Sequence, residues 1–126
     1  MIYLASPYSH PDQTVCELRF HANVRIAAEL IRQGHVVFSP IVHGHPLTKQ
    51  QLSIEWSFWR RIDLTFLEAC SELVVLTLPG WEQSVGVTEE IAVAEASGKP
   101  VQYLAPPDPW YARTPTLAYV AKETRP

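Results

Sequence analysis

The chain has 126 residues with a formal net charge of −3, and hydrophobic residues make up 47% of it. This length suits one domain that buries an ordinary core. The weakly acidic sequence has no basic stripe, which argues against a nucleic acid or an anionic membrane surface as a partner, and no apolar run in it is long enough to cross a bilayer.

Apolar segments typical of buried strands alternate with amphipathic, helical segments along the chain. The predicted strands are residues 2–5, 35–39, 73–78 and 101–104. The first predicted helix is capped by Asp12 or Thr14, runs to about residue 33 and buries a face with Phe20, Val24, Ala27 and Ile31. Two more helices are predicted at about residues 54–70 and 87–97, with a long loop at residues 40–52. A Pro-rich extension from about residue 105 is expected to wrap the body, with a short helix or strand at residues 117–120.

Strands that alternate with helices predict a parallel sheet with right-handed crossover connections. The predicted fold class is therefore α/β, a flavodoxin-like three-layer sandwich whose four to five strands follow the order 2-1-3-4. Residues 1–126 would then form a single domain that includes the C-terminal extension. In this order the loops after the first and third strands, residues 6–11 and 79–87, face each other across the crevice where open α/β sheets bind ligands.

Glu90 stands where the last predicted helix should carry an apolar residue. Val87, Ile91 and Ala94 repeat with helical spacing, and Glu90 lies at the edge of the face that they form. Glu89 points to the opposite side and is expected to be solvated. Burying a glutamate costs free energy unless the carboxylate is paired or used. Glu90 is therefore either a functional acid or a glutamate that reaches solvent or forms a salt bridge.

Asp63 is a second acid of this kind on the preceding helix. The apolar stripe of that helix contains Trp59, Ile62, Phe66 and Cys70. Asp63 falls within the stripe, although aspartate is a poor interior helix residue and is rarely buried alone. The alternative is a structural ion pair with Arg60 or another arginine. Two such acids on the helices that flank the third strand indicate a carboxylate pair in one cleft.

Paired carboxylates in a crevice suit the cleavage of a glycosidic bond. One acid can attack the anomeric carbon or stabilise the charge that develops on it, while the other handles protons on the leaving group. A nucleophilic Glu90 must be ionised at neutral pH, and a position in the first turn of its helix would favour that through the helix dipole. Asp63 would need the opposite tuning or a fixed hydrogen-bonding task.

Three motifs resemble those of the nucleoside 2-deoxyribosyltransferase superfamily, including its deoxynucleotide N-hydrolase branch. They are Ile2-Tyr3-Leu4-Ala5, Ile62-Asp63-Leu64 and Ser84-x-Gly86-x-x-x-Glu90-Ile91 with Ala94, and the likeness covers about residues 1–104. Within the superfamily, the chain is similar to a small bacterial and phage group with the signatures Tyr-Leu-Ala-Ser-Pro-Tyr, Ser-Pro-Ile-Val-His-Gly-His and Leu-Pro-Gly-Trp.

The resemblance implies roles for individual residues. It makes Glu90 the nucleophile that attacks the ribosyl C1′, Asp63 the acid/base partner near the base or the 3′-hydroxyl, and Tyr3 the residue that orients Glu90. Ser84 suits a 5′-phosphate, since a hydroxyl and loop N–H groups can donate to it. Two positions depart from the family pattern: residues 7–10 contain no arginine, and Thr88 replaces a common glycine.

Further substrate-binding candidates lie in the loops around the predicted crevice: Ser6, Tyr8, His43, His45, Trp81 and Gly86. Tyr8 and Trp81 are candidates for stacking on a base, and the loop with the two histidines either covers the pocket or is a polar surface loop. His43 and His45 could face one side of an extended segment and bind a metal, but no third ligand follows at a suitable spacing. No metal and no organic cofactor are expected.

The leading hypothesis is an N-glycosidase or deoxyribosyltransferase that cleaves a nucleoside or nucleotide-like substrate through a covalent glycosyl-Glu90 intermediate. A non-catalytic domain that binds a nucleotide or related metabolite is the alternative, with Ser84, Gly86 and Thr88 as anion contacts. A third possibility is a structural partner protein. The resemblance and the Trp-rich helix predict a homo-oligomer, and the default expectation is a cytoplasmic protein.

Overall fold

The computed structural model describes residues 1–112, so the short element predicted at residues 117–120 lies outside the described part. The strands are β1 (Ile2–Ala5), β2 (Val37–Phe38), β3 (Glu72–Leu76) and β4 (Val101–Leu104). The helices are α1 (Gln13–Arg32), α2 (Pro40–Thr48), α3 (Trp56–Ala69) and α4 (Val85–Ala96), with a short 3₁₀ helix at Trp81–Gln83. None of these helices combines the length and apolar character needed to span a membrane.

The strands form one parallel sheet in the order β2-β1-β3-β4, which confirms the predicted α/β fold and strand order. Tyr3 of β1 pairs with Phe38 on one side and Leu73 on the other. All four residues of β1 are buried, as expected for a strand in the middle of a sheet that is covered on both faces. The carboxyl ends of β1 and β3 therefore lie side by side, at the predicted crevice.

Alternate side chains of the central strands point into two separate cores. Ile2, Leu4 and Val74 pack against α1 on one face of the sheet. Tyr3 and Val75, on the other face, belong to the core that includes residues of α3 and α4. These two cores give the three layers of the sandwich, and they place α3 and α4 together on one side of β3.

The buried face of α1 differs from the predicted one. Val24 and Ile31 are 39% and 56% exposed, while Ala22, Ile26 and Leu30 are buried. The pattern was misread because α1 also buries polar side chains, which a simple apolar stripe does not include. The start of the helix is as predicted, since the Asp12 side chain accepts a hydrogen bond from the Thr14 N–H at 2.9 Å.

The predicted loop at residues 40–52 is wrong, because its first part is helix α2. Ser39 caps this helix by accepting a hydrogen bond from the Val42 N–H at 3.1 Å. Pro40 follows the cap, where its fixed φ and missing N–H are compatible with a helix start. A β-carbon on Gly44 would lie 3.6 Å from the indole of Trp59, so a small residue lets α2 pack closely on α3.

The described start of the C-terminal extension, residues 105–112, contacts the body through Trp110. Trp110 packs against the core that includes α1, and its carbonyl accepts a hydrogen bond from Arg25 Nη2 at 3.0 Å. The same residue lines the crevice described below. The first residues of the extension therefore contribute to the wall of the candidate site.

Candidate active site

A cavity of about 660 Å³ opens at the carboxyl ends of β1 and β3. This volume is within the range of small-molecule sites, and the position is the one at which parallel α/β sheets bind ligands. Its walls come from the loops after β1 and β3 and from α2, α3 and α4. The predicted site residues that line it are Ser6, Tyr8, His45, Asp63, Ser84, Gly86 and Glu90.

Glu90 lies in the second turn of α4 and is only 3% exposed. The Tyr3 hydroxyl donates a hydrogen bond to its carboxylate. Burial raises the pKa of Glu90 to about 8, and the nearby Asp63 charge adds to this effect while the Tyr3 hydrogen bond opposes it. The expected help from the helix dipole was wrong, because that field fades beyond the first turn. At neutral pH the protonated form of Glu90 is therefore favoured.

Asp63 lies on α3 and is 8% exposed, with its side chain at the same cavity. Burial raises its pKa to about 7. The alternative ion pair with Arg60 is not formed, since Arg60 Nε donates to Glu89 Oε2 at 2.6 Å. Within residues 1–112 no arginine, lysine or histidine neutralises Asp63 or Glu90. The two acids therefore hold about one proton between them near pH 7.5.

Tyr3 links the sheet to this pair of acids. It is fully buried on β1 and lies outside the cavity lining. Burial, with the negative charges of Glu90 and Asp63, raises the pKa of Tyr3 well above its usual value. The phenol is therefore a permanent donor that fixes the Glu90 carboxyl group from the side away from the cavity.

Two tryptophans of α3, Trp56 and Trp59, line the cavity. The Trp56 indole N–H donates to Glu89 Oε1 at 2.8 Å, so Glu89 is an anchor for that ring and not the solvated carboxylate expected from the sequence. Gly86 lies under the same ring, since an added β-carbon would be 3.0 Å from it. Trp59 donates to the Ser53 carbonyl at 2.6 Å. Both indoles are thus held in place beside the acids.

Ser6 and Ser84 line the cavity as predicted, and both also hold the backbone. Asn23 Nδ2 donates to Ser6 Oγ at 2.9 Å, which ties the loop after β1 to α1. Ser84 Oγ accepts from the Val87 N–H at 3.2 Å and caps α4. The Ser84 hydroxyl hydrogen is not used by this cap, so it can still donate to a ligand.

Two candidate substrate contacts lie outside the cavity lining. Trp81 packs into the core beside α4, with its ring 5.5 Å from that of Tyr103. His43 is exposed and contacts Phe38 and Phe66. Because α2 is a helix, residues two apart point in roughly opposite directions, so His43 and His45 cannot share a face. Among residues 1–112 no three His, Cys, Asp or Glu side chains are grouped for a metal ion.

Arg19 of α1 is a cavity residue that the sequence reasoning missed. Its Nη1 donates to the carbonyls of Tyr8 and Ser9 at 3.2 and 3.1 Å, and its Nη2 donates to the Pro79 carbonyl at 3.1 Å. It is 7% exposed, and its pKa is lowered by burial. Residues 7–10 contain no arginine, but Arg19 of α1 brings a positive charge to the cavity that they line. The Arg19 side chain also links the loops after β1 and β3.

Replacing Arg19 with methionine should destabilise the fold by about 3 kcal/mol, because three carbonyls lose a charged donor while the aliphatic volume is kept. Urea unfolding of the variant and of the wild type measures the difference. The matched control is Arg61→Met, since Arg61 is exposed on α3. An Arg19 variant that loses no more stability than this control would contradict the tying role.

A protein-family model described as "Domain of unknown function (DUF1937)" matches residues 1–105. The chain belongs to this family. The matched range includes the whole sheet and the cavity residues other than Trp110. The comparison with curated proteins found no match. The family description names no activity, so the function is argued from the chemistry of the site.

Proposed function

We propose that the protein is an N-glycosidase or deoxyribosyltransferase that cleaves the N-glycosidic bond of a nucleoside or nucleotide through a covalent glycosyl-Glu90 intermediate. The observation that carries this proposal is the placement of two buried acids, Asp63 and Glu90, at one cavity without a neutralising cation from residues 1–112. Such burial disfavours the folded state, and pairs of perturbed acids in clefts are typical of catalytic sites.

The motifs that resemble the nucleoside 2-deoxyribosyltransferase superfamily support the same assignment. Tyr3, Asp63 and Glu90 each come from a different one of these motifs. The charge of Asp63 raises the pKa of Glu90, and the hydrogen bond from Tyr3 lowers it. We therefore also propose that this chain belongs to the nucleoside 2-deoxyribosyltransferase superfamily.

In the first proposed step, an oxygen of ionised Glu90 attacks C1′ while the C1′–N bond breaks. Asp63 gives its proton to the departing base, so the base leaves as a neutral molecule. The Tyr3 hydroxyl orients the attacking carboxylate. In the second step an acceptor attacks C1′ while the C1′–Oε bond breaks and its electron pair returns to Glu90. An acceptor base gives its proton to the Asp63 carboxylate, the reverse of the first step, and an acceptor water gives its proton to a basic group of the cavity wall. Water as acceptor gives hydrolysis, and another base gives transfer.

The cavity walls support a substrate with a planar base and an anionic group. The indoles of Trp56 and Trp59 provide apolar aromatic surface on which a base can stack. Arg19 supplies positive charge to the same lining, and the Ser84 hydroxyl can donate a hydrogen bond. A nucleoside 5′-phosphate would use all of these contacts, whereas a nucleoside would use the aromatic ones.

The test is base release from a panel of ribo- and deoxyribonucleosides and their 5′-phosphates, followed by chromatography. Wild type should release the base from at least one compound, and Glu90→Ala should release none. Glu95→Gln is the matched control, because Glu95 lies on the same helix but is exposed. Equal release by wild type and Glu90→Ala would refute the role of Glu90.

A non-catalytic binding domain is the second candidate, and the raised pKa of Glu90 favours it. Burial raises the pKa of Glu90 to about 8, so in most molecules this carboxyl group is protonated at pH 7. A protonated carboxyl group is a poor nucleophile. A nucleotide that raises the melting temperature without any base release would support this candidate. Turnover of any panel compound that depends on Glu90 would exclude it.

A further inference from the structure

A chain of polar side chains leads from the cavity wall to the surface beside α1. The Tyr8 hydroxyl is 2.6 Å from His45 Nδ1, and His45 Nε2 is 3.2 Å from Glu17 Oε1. Lys49 Nζ donates to the same carboxylate oxygen at 2.6 Å. Tyr8 and His45 both line the cavity that contains Asp63 and Glu90. The arrangement is a carboxylate, an imidazole and a phenol in series.

The partners on the two sides of His45 assign its tautomer. Lys49 lowers the pKa of Glu17, so this carboxylate is ionised and can only accept hydrogen bonds. His45 Nε2 must then carry the hydrogen that points at Glu17. In neutral His45 the other nitrogen, Nδ1, is left with a lone pair that accepts from the Tyr8 hydroxyl.

The surroundings of His45 keep its ring neutral and fixed. Burial lowers its pKa, and the charge of Glu17 only partly opposes that effect. Lys49 and His21 are the other ionisable groups that act on it, and both lower its pKa. The ring is stacked on Phe20 with their centroids 4.3 Å apart. Burial also raises the pKa of Tyr8, so the phenol keeps its hydrogen for His45.

Tyr8 lines the cavity, and its oxygen has lone pairs but no free hydrogen for a ligand; the Thr48 side chain, which also lines the cavity, hydrogen-bonds to the same oxygen. A phenol whose only hydrogen is held by another group can accept a hydrogen bond from a ligand. The group that it would contact must itself carry a hydrogen, as a water molecule, a hydroxyl or a ring N–H does. Neither Asp63 nor Tyr3 takes part in this series of side chains.

We propose that Glu17, His45 and Tyr8 form a proton relay that accepts the proton of the attacking water when the glycosyl-Glu90 intermediate is hydrolysed in the second step. This inference rests on the proposed function. The water forms a bond to C1′ and gives a proton to the Tyr8 oxygen, while the Tyr8 proton moves to His45 Nδ1. The C1′–Oε bond breaks and its electrons return to Glu90. The imidazolium is stabilised by Glu17 and then loses its extra proton to solvent. Asp63, left ionised by the first step, takes up a proton from solvent, so the site returns to its starting protonation state.

The relay would separate the two proton transfers of the reaction. Asp63 supplies a proton to the leaving base, whereas the acceptor must lose a proton later. Tyr8 would be the catalytic residue of the relay, and His45 and Glu17 would be positioning residues that act through it. The carboxylate–imidazole part has the order of groups that serves to polarise hydroxyls in other enzymes.

Rapid-mixing measurements of base release distinguish this relay from a merely structural cluster. Tyr8→Phe should release about one equivalent of base quickly and then turn over on the order of 10²-fold more slowly than wild type. His45→Asn should behave in the same way, because its amide can still accept from Tyr8 but cannot take up a proton. In both variants KM should fall together with kcat, and kcat/KM should change little, because only the second step is slowed. Equal losses in the fast and slow phases, or full turnover by His45→Asn, would overturn the proposal.

Nitrogen-15 NMR of the histidine rings tests the relay without any substrate. The expected result at pH 7 is a neutral His45 protonated on Nε2, with a change in its Nδ1 resonance in Tyr8→Phe and in its Nε2 resonance in Glu17→Gln. A hydrogen on Nδ1 would overturn the relay even if base release occurs. Absence of base release from wild type, by contrast, would overturn the proposed function while the NMR result still decides the tautomer.

Discussion

Replacing Glu90 with glutamine is expected to stop base release and also to stabilise the fold at pH 8. The pKa of Glu90 is about 8 in the folded protein against an ordinary value of 4.5. Below pH 4.5 the group is protonated in both the folded and the unfolded state. As pH rises from about 4.5 to 8, the unfolded chain ionises and the folded one does not, so stability falls over this range.

The loss in the free energy of unfolding between pH 4.5 and 8 is at most on the order of 5 kcal/mol. The pKa of Glu90 rises from 4.5 to about 8, and each pKa unit corresponds to about 1.4 kcal/mol. Glutamine cannot ionise, and its amide oxygen still accepts from Tyr3. The variant should thus match wild type near pH 4 and exceed its free energy of unfolding by several kcal/mol at pH 8, while base release drops by about 10³-fold or more.

Urea unfolding at the two pH values, with Glu95→Gln as control, measures this difference. A gain in stability together with a loss of activity is expected when a buried acid destabilises the fold but is required for catalysis. A Glu90→Gln variant that is no more stable than wild type at pH 8 would show that the carboxylate is well solvated or paired.

The pH dependence of kcat/KM should be bell-shaped, with its maximum between about pH 7 and 8. The pKa values of Asp63 and Glu90 are about 7 and about 8, and the reaction needs one proton on the pair. Activity is lost below this window because both acids are protonated, and above it because neither is. The two pKa values that shape this profile belong to the pair of acids as a whole. The profile is therefore bell-shaped whichever of the two acids carries the shared proton.

Asp63→Asn should remove the alkaline limb and lower kcat by about 10²-fold, because asparagine cannot give a proton to the leaving base. The one remaining limb should be the ionisation of Glu90, with a midpoint somewhat below pH 8, since the Asp63 charge is one cause of the raised pKa of Glu90. Asp108→Asn, a change at an exposed position, serves as the control. A variant that retains both limbs would show that Asp63 is not the second titrating group.

The fold could be predicted from the sequence because the two central strands, β1 and β3, consist largely of short apolar runs that alternate with helical segments. β1 and β4 have the bounds that the pattern indicated, and the strand order followed from the alternation of strands and helices. Helix α2 was missed because Pro40, Gly44 and Pro46 within nine residues are typical of loops. Its cap at Ser39 and its packing on Trp59 are tertiary features that local propensity does not contain.

The two acids were found because each interrupts an apolar face, and that anomaly can be counted in the sequence. Arg19 and Glu17 gave no such signal, because the buried face of α1 was assigned to the wrong side of the helix. The ionisation of Glu90 was misjudged for a different reason: the sequence indicates a helix start but not the depth of burial. The homo-oligomer and the cytoplasmic location stay predictions.

The most direct test of the central claim is a search for the covalent intermediate. The substrate identified in the panel is prepared with fluorine at C2′, which slows both steps by destabilising the oxocarbenium-like transition state. Mass spectrometry of the digested protein should find one added sugar on the peptide that contains Glu90, and none in Glu90→Gln. Base release without an adduct, or an adduct on Asp63, would contradict the account.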